Sequence, residues 1–352
     1  MDKGDSGSGP LGDGASRRRY LAGLVGLVAG ASLAGCSSDD VNPPEQVTET
    51  TEGDAETPRR TATGTDENAG TSRGTADAAL GDVIEGDQLA LAAYSVERTT
   101  SVSQFTQADS GNEFVVVDMA AKNKSETEYV QFSSFLQLSL RDDESYEYDE
   151  TITGAENTLD SGELAPGEVT RGVLVFEVPQ GASGLSLSID LDESIFNYDG
   201  ATIDLESQGS GRTLTQDLAV PVYDVGDTLS YQESRFSLNS VRTSTGSGYF
   251  APDSGNEYVV IDITVSNTGD EELSVSTFLQ MTLKDDAGRT YDTSIVGSGT
   301  LDREFSQGRP ISPGSQRRGE VAFEVPAGVS PLYLAMDFEL FAEGDKSFFR
   351  LR

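Results

Sequence analysis

The side chains that enzymes most often use for acid–base and nucleophilic chemistry are scarce in this sequence. Its 352 residues include no histidine and a single cysteine, Cys36. Catalysis by Ser-His-Asp or Cys-His groups and the commonest zinc and copper sites are therefore excluded. The chain also has no Gly-x-Gly-x-x-Gly before a helix and no phosphate-binding loop. We expect no enzymatic activity and no cofactor.

Acidic side chains are the remaining candidates, because Ca²⁺ prefers oxygen ligands. Asp-Ser-Gly-Asn-Glu occurs at residues 109–113 and 253–257, and paired aspartates occur at 142–143 and 285–286, the first pair followed by Glu144. Turn formation is the simpler explanation of both motifs, since glycine supplies positive φ and Asp or Asn caps the bend. We favour turns and predict no metal site. A carboxylate pair for glycoside hydrolysis stays open, although a chain without tryptophan offers little aromatic platform for a sugar.

Residues 123–125, Asn-Lys-Ser, form an N-glycosylation sequon. The motif follows a predicted strand, so we expect Asn123 to lie in an exposed loop that is open to modification. A three-residue motif also arises by chance in a serine-rich chain. The corresponding residues 267–269, Asn-Thr-Gly, are not a sequon.

The N-terminal residues have the features of an export segment. Arg17 and Arg18 precede an uncharged run, residues 20–35, which is shorter than the roughly 20 apolar residues of a membrane-spanning helix. Its length and flanks fit a secretory signal peptide. Residues 16–21, Ser-Arg-Arg-Arg-Tyr-Leu, resemble a twin-arginine signal, which exports folded protein. An ordinary basic segment for export of the unfolded chain is the alternative.

Residues 33–36, Leu-Ala-Gly-Cys, resemble the lipobox of prokaryotic lipoproteins. The resemblance implies cleavage between Gly35 and Cys36 and attachment of a diacylglyceryl-type lipid to the Cys36 thiol, whose thiolate is the nucleophile. Two lipid chains hold a protein stably at a membrane. A free buried cysteine or a chance match is the alternative. We expect a protein anchored by lipid to the cell membrane and facing the extracellular side.

The chain is strongly acidic, with 60 Asp and Glu against 24 Lys and Arg and a formal charge of −36. Residues 81–352 carry 47 acids and 17 bases, hence −30 (17 − 47), and only four of the bases are lysines. Such charge repels itself, and concentrated salt removes most of the repulsion because the screening length falls to about 3 Å at 1 M. This composition resembles that of extremely halophilic archaea; a cation-binding surface is the alternative. The charge argues against nucleic-acid binding, which needs a basic surface.

Two copies of one unit follow a polar segment. Residues 109–118 correspond to 253–262, Phe-Glu-Val-Pro occurs at 176–179 and 323–326, and Gly-Asp at 86–87 matches Gly-Asp at 226–227. The spacing of about 140–147 residues indicates tandem domains, since solenoid repeats are about 20–50 residues long. We predict a signal peptide at 1–35, a lipidated cysteine and disordered linker at 36–80, domains at 81–208 and 220–352, and a second linker at 209–219.

Apolar residues alternate with polar ones throughout both units, which is typical of half-buried strands. The pattern places Val115, Val117 and Met119 on one face, and it repeats in Val259, Ile261 and Ile263. It also predicts a strand through Leu136, Leu138 and Leu140, with Leu279, Met281 and Leu283 as its counterpart. We predict an all-β fold with two tandem immunoglobulin-like antiparallel β-sandwiches, and no helix after the leader.

The strand pattern, the Pro-Gly turns at 166–167 and 313–314 and the Phe-Glu-Val-Pro motifs make each unit similar to a known family. These are the immunoglobulin-like domains of unknown function of prokaryotic secreted lipoproteins, grouped with a mycobacterial secreted-antigen (immunoprotein) superfamily. The resemblance implies a fold and an extracytoplasmic setting, and no catalytic residues. We expect a non-enzymatic surface lipoprotein that serves in binding, adhesion or envelope structure, with a protein or glycan partner. An accessory or solute-binding subunit of a membrane complex is the alternative.

Overall fold

Two β-sandwiches are described by the computed structural model, which covers residues 75–103, 105–190, 200–337 and 346–352. Sandwich 1 contains eleven strands and one helical turn: β1 (Thr75–Leu80), β2 (Ile84–Glu85), β3 (Leu89–Thr99), β4 (Asn112–Asn123), β5 (Val130–Phe132), α1 (Ser134–Gln137), β6 (Leu138–Arg141), β7 (Glu147–Tyr148), β8 (Gly162–Leu164), β9 (Val169–Pro179), β10 (Ser186–Ile189) and β11 (Gly200–Gln208).

Sandwich 2 repeats this order with nine strands, two helical turns and one 3₁₀ turn (Gly248–Phe250): β12 (Val222–Asp224), β13 (Thr228–Tyr231), β14 (Ser234–Ser244), β15 (Asn256–Asn267), α2 (Thr277–Gln280), β16 (Met281–Asp285), β17 (Thr290–Tyr291), α3 (Ile295–Ser298), β18 (Gln316–Pro326), β19 (Leu332–Asp337) and β20 (Lys346–Arg350). None of the helices in the described ranges approaches the length needed to cross a bilayer.

Each sandwich packs a five-stranded sheet against a four-stranded one. The orders are β1-β11-β10-β6-β7 and β2-β3-β4-β9 in sandwich 1, and β12-β20-β19-β16-β17 and β13-β14-β15-β18 in sandwich 2. Sandwich 1 has an additional short pair, β5-β8. The first strand of each sandwich pairs in parallel with the last, and the other ladders are antiparallel. The predicted all-β tandem sandwich fold is confirmed.

The alternating residues form the two cores, as predicted. Val115, Val117 and Met119 on β4 are fully buried, as are Val259 and Ile261 on β15. They pack against apolar residues of the opposite sheet to form one large cluster in each sandwich. The register of each strand is therefore fixed by which of its faces is apolar.

The predicted strand through Leu136 and Leu279 is wrong at its start, and the expectation of no helix is wrong with it. Both leucines lie in helical turns, α1 and α2, and are exposed. The backbone N–H of Ser133 donates to the Gln137 side chain, 2.8 Å, and the turn closes as a result. Ser276 and Gln280 repeat this bond at 2.9 Å.

Strand β1 lies within the segment predicted as linker. Its residues, Thr75–Leu80, pair with β11 as Val222–Asp224 pair with β20. The structural counterpart of Gly226 is Gly81, because these glycines donate to Leu238 and Ala93, which are equivalent positions, over 2.8 and 2.7 Å. The sequence comparison had matched Gly226 with Gly86, five residues too late.

The two sandwiches are part of one compact unit and share an interface. Ala165 of sandwich 1 packs with Ala335 and Phe348 of sandwich 2 in a small apolar cluster. The connecting segment contributes as well: Gln216 donates from its backbone to the carbonyl of Asp286, 2.8 Å, and accepts from the backbone N–H of Val169, 2.8 Å.

A buried ionic cluster completes the interface. The Glu168 carboxylate of sandwich 1 contacts Lys284 Nζ at 2.5 Å and Lys346 Nζ at 3.2 Å, both from sandwich 2. It also accepts from the backbone N–H of Ala165, 2.8 Å. Burial by itself would raise the pKa of Glu168, but the two lysine charges outweigh it and hold the pKa at about 2. Two of the four lysines in residues 81–352 are thus committed to one glutamate.

Candidate binding surface

The residues of the predicted export and lipidation signals lie outside the described residues. Arg17, Arg18, Gly35 and Cys36 all belong to this part of the chain, so export, cleavage and lipid attachment stay predictions.

Asn123 is fully buried, and the expected exposed loop is therefore wrong. Its Nδ2 donates to the carbonyls of Glu128 at 2.8 Å and Leu164 at 2.9 Å. A glycan on that nitrogen would have to displace these bonds, so it does not fit the folded domain. Asn267 makes the equivalent bonds in sandwich 2, to Glu271 and Ile311. The asparagine fixes the loop that leaves the central strand of each sandwich.

The Asp-Ser-Gly-Asn motifs are turns, as favoured. Glu177 accepts from the backbone N–H of Asp109, 2.7 Å, and from the Asn112 side chain, 3.0 Å. In sandwich 2, Glu324 holds Asp253 and Asn256 in the same way, at 2.8 and 3.0 Å. The Glu of each Phe-Glu-Val-Pro motif is therefore the residue that fixes the turn. Sequence analysis assigned this glutamate no role, although the repetition of both motifs was visible.

The paired aspartates also form turns. Asp142 accepts from the backbone N–H groups of Glu144 and Tyr146, and from the Tyr148 hydroxyl at 2.7 Å. Burial and the neighbouring Asp142 carboxylate raise the pKa of Tyr148 to about 12. Asp285 makes the same three bonds in sandwich 2. In the described ranges, no three His, Cys, Asp or Glu side chains converge in a way that could hold a metal ion.

Sequence analysis missed a set of exposed apolar side chains that both sandwiches carry at equivalent positions. Phe105 precedes Asp109 by four residues as Tyr249 precedes Asp253, and Ile152 follows Asp142 by ten residues as Ile295 follows Asp285. The exposed fractions of Phe105, Tyr249, Ile152 and Ile295 are 89%, 100%, 91% and 85%. With the exposed residues of the two helical turns they form the apolar loop set: Phe105, Phe135, Leu136 and Ile152, and Tyr249, Phe278, Leu279 and Ile295.

Contacts within each sandwich join several of these loops. In sandwich 1 the Thr106 hydroxyl donates to the carbonyl of Thr153, 2.9 Å, which joins the loops of Phe105 and Ile152. In sandwich 2, Phe278 and Ile295 line a common cleft of about 130 Å³. Phe250, the residue after Tyr249, packs its ring against Gly299, four residues after Ile295. A Cβ at Gly299 would be 2.3 Å from a ring carbon.

The apolar loop set is suited to binding, and the Tyr249 hydroxyl is the one titratable group among its eight side chains. A single exposed apolar residue needs no explanation, whereas a group of them indicates an interaction site. The same group of exposed apolar residues occurs once in each sandwich, at four equivalent pairs of positions. A signal was available in the sequence: Phe-Leu-Gln recurs at 135–137 and 278–280, and isoleucine recurs ten residues after the equivalent aspartates.

Tandem β-sandwiches with this repeated architecture define the class of the protein. The chain belongs to the family described as Domain of unknown function (DUF4352), whose model matches residues 78–201 and 223–346. Among curated proteins, none matches the sequence.

Several solved structures are similar to part of the chain. An uncharacterized β-sandwich protein from Clostridium difficile 630 is 18% identical, with a TM-score of 0.28, covering 38% of this chain and 95% of its own. The yjhA protein from Bacillus subtilis is 16% identical, with a TM-score of 0.30, over 37% of this chain and 100% of its own. A Bacillus subtilis protein described as "a putative lipoprotein (ycdA)" is 19% identical, with a TM-score of 0.29, over 35% and 37%.

Proposed function

We propose that the protein is a non-enzymatic surface lipoprotein that binds a partner through the apolar loop set. The repetition of exposed apolar residues in both sandwiches is the observation that carries the proposal. A large exposed apolar side chain that packs against nothing costs solubility, and eight at equivalent positions favour a surface that is covered when in use. The partner is a protein or glycan with an apolar face.

The interface between the sandwiches supports bivalent binding. The buried cluster of Glu168, Lys284 and Lys346 joins the two domains, so each would present its loops at a fixed spacing. Binding by the second domain would then follow the first at a high effective concentration.

Serine variants of the most exposed residues test the binding role. Phe105→Ser with Ile152→Ser alters sandwich 1, and Tyr249→Ser with Ile295→Ser alters sandwich 2. Photo-crosslinking on intact cells should give one defined adduct with the unmodified protein, much less with either double variant and none with the quadruple variant. Glu156→Gln with Asp302→Asn, exposed polar residues nearby, is the matched control. Equal adduct yield from the quadruple variant would exclude these loops.

The anchor is proposed on the sequence of residues 16–36 alone. A lipid on Cys36 would hold the protein at the extracellular face of the membrane, with the acidic surface adapted to concentrated salt. The mass of the N-terminal peptide tests this directly: a lipidated peptide beginning at Cys36 is expected. An intact Met1 on the mature protein would contradict it.

A further inference from the structure

Sandwich 2 contains a cavity of about 250 Å³ at the end where the β13–β14 hairpin meets the segment after β15. Buried apolar side chains from both sheets line its inner part, namely Phe236, Val265 and Met336. Leu273 and Val275 line one wall. The volume approaches that of a small-ligand site, and such sites are largely apolar with a few polar groups at defined positions.

One large buried side chain of sandwich 1 has a smaller counterpart in the wall of this cavity. Val130 pairs with Leu164 as Leu273 pairs with Ile311. Two residues further on, sandwich 1 has Phe132 and sandwich 2 has Val275. Phe132 is fully buried and is among the largest side chains of the core. Two other lining residues, Phe236 and Val265, are larger than their counterparts Leu91 and Ala121, so the two sandwiches fill this end of the core with different side chains.

The charged residues at the mouth of the cavity also differ from those at the equivalent positions of sandwich 1. Asn123 is opposite Leu89 and Asn267 is opposite Ser234. The residue before Leu89 is Gln88, which donates to the Glu128 carboxylate at 2.9 Å; the residue before Ser234 is Glu233.

Lys124, after Asn123, donates to the carbonyl of Gly86 at 2.8 Å and contacts Glu85. In sandwich 2 the equivalent position is occupied by Thr268. The mouth of the cavity consequently carries the exposed carboxylates of Glu233, Glu271 and Glu272, and none of its lining residues in the described part of the chain is basic.

Two close contacts fix the residues at the mouth of the cavity. Asn267 holds the backbone of Glu271 at 2.6 Å. Glu233 rests against Gly269, where a Cβ would be 2.2 Å from its carboxylate oxygen. Glycine at this position therefore leaves room for the carboxylate.

We infer that this cavity is a binding site for a small organic cation: an ammonium group between Glu233 and Glu271, with an aliphatic or aromatic body against Phe236, Val275 and Met336. The cation would neutralise the carboxylates at the mouth, and its apolar body would contact the buried inner wall of the cavity. The site is separate from the apolar loop set, and neither proposal depends on the other.

Saturation-transfer NMR on the purified full-length protein tests the site with three probes of similar shape: phenethylammonium, 2-phenylethanol and 3-phenylpropionate. Phenethylammonium should bind, phenylethanol about tenfold more weakly, a difference of about 1.4 kcal/mol, and phenylpropionate not at all. Equal signals from the cation and the anion, or displacement of half of the bound cation by an equal concentration of the alcohol, would overturn the assignment.

Variants that restore the residues of sandwich 1 locate the binding. Val275→Phe should abolish it by filling the cavity. Thr268→Lys, a change at the mouth, should remove the preference for the cation while phenylethanol still binds. Asp302→Asn, an exposed change outside the cavity, should bind the cation as the unmodified protein does. Unchanged cation binding in both folded cavity variants would disprove the site.

Discussion

The outer faces of the two five-stranded sheets are equivalent in register and opposite in character. On sandwich 1, Ser188 is between Ser139 and Thr202. In sandwich 2, Ala335 takes the place of Ser188 and Phe348 that of Thr202. Ala335 and Phe348 are buried whereas the sandwich 1 residues are partly exposed. The fold accommodates a polar or an apolar outer face on this sheet. The apolar face of sandwich 2 is the one that the other domain covers.

Comparison of equivalent residues in the two sandwiches also separates the domain interface from the apolar loop set. Glu168 follows Pro-Gly at 166–167, and its counterpart after Pro-Gly at 313–314 is Ser315. Residues that differ between the copies thus join them, whereas the apolar loop set is kept in both. From this pattern we infer that the loops have the same role in both sandwiches, whereas the outer faces of the sheets have different roles.

The largest expected effect comes from Glu168→Gln, which leaves the buried Lys284 and the partly buried Lys346 without a carboxylate. Removing one partner of a buried ionic cluster costs about 3–5 kcal/mol. Because each sandwich has its own core, we expect the domains to separate, with two calorimetric unfolding transitions in place of one. Ser315→Ala, at the equivalent exposed position, should change nothing. A single transition at an unchanged temperature would show that the cluster does not hold the interface.

Acid should weaken the same contact. The folded pKa of Glu168, about 2, is below its ordinary value of 4.5, so its contribution is complete above about pH 4.5 and is lost as pH falls through 2. The loss is on the order of 3 kcal/mol. Protonation of the other acids relieves repulsion in parallel, so the measurement is the difference in unfolding free energy between the unmodified protein and Glu168→Gln. That difference should shrink from pH 4.5 to 2; a constant difference contradicts the assignment.

Exchanging the outer faces should have a somewhat smaller effect. Phe348→Thr with Ala335→Ser gives sandwich 2 the surface of sandwich 1 and removes the aromatic contact at Ala165. The expected cost is about 2–3 kcal/mol, since truncation of a buried aromatic costs about 3–5 kcal/mol and this site lies at a domain boundary where the neighbours can relax. Chemical denaturation measures it. The reverse change, Thr202→Phe, should leave stability within about 0.5 kcal/mol, because that face meets solvent.

The alternation of apolar and polar residues predicted the cores well because one face of each central strand is buried. It failed at Leu136 because Leu136, Leu138 and Leu140 keep the same period across a helical turn. The bond that closes the turn runs from the backbone N–H of Ser133 to the Gln137 side chain, which the apolar pattern does not show. The missing strand β1 follows from matching Gly226 with Gly86, a coincidence of two short Gly-Asp motifs. Only strand pairing identifies Gly81 as the counterpart.

The interface and the cavity were beyond prediction for another reason. Ala335 and Phe348 are apolar residues on strands whose other face is also apolar, so the sequence does not say which neighbour covers them. Likewise Val275 in place of Phe132 becomes informative only when the pairing of Leu273 with Ile311 establishes that the two positions are equivalent. Asn123 was misjudged because a polar residue at a strand end is usually exposed.

The smallest predicted effect concerns an ion pair that both sandwiches share. Arg171 binds Asp118 through two bonds, 2.9 and 2.7 Å, and stacks on the Tyr94 ring at 4.0 Å. Its backbone N–H also donates to Gly288 of sandwich 2. Arg318 binds Asp262 with similar geometry, but its side chain is 52% exposed where that of Arg171 is 10%.

Arg171→Ala should therefore cost about 2 kcal/mol, since it removes a desolvated pair and a cation–π contact. Arg318→Ala should cost clearly less than Arg171→Ala, because exposed ion pairs contribute little to stability. Urea denaturation of both variants provides the comparison, with added salt reducing the smaller effect further. If the two costs are equal, the domain interface does not shield Arg171 from water. The pair would then belong to the repeated sandwich fold and contribute nothing to the contact between the domains.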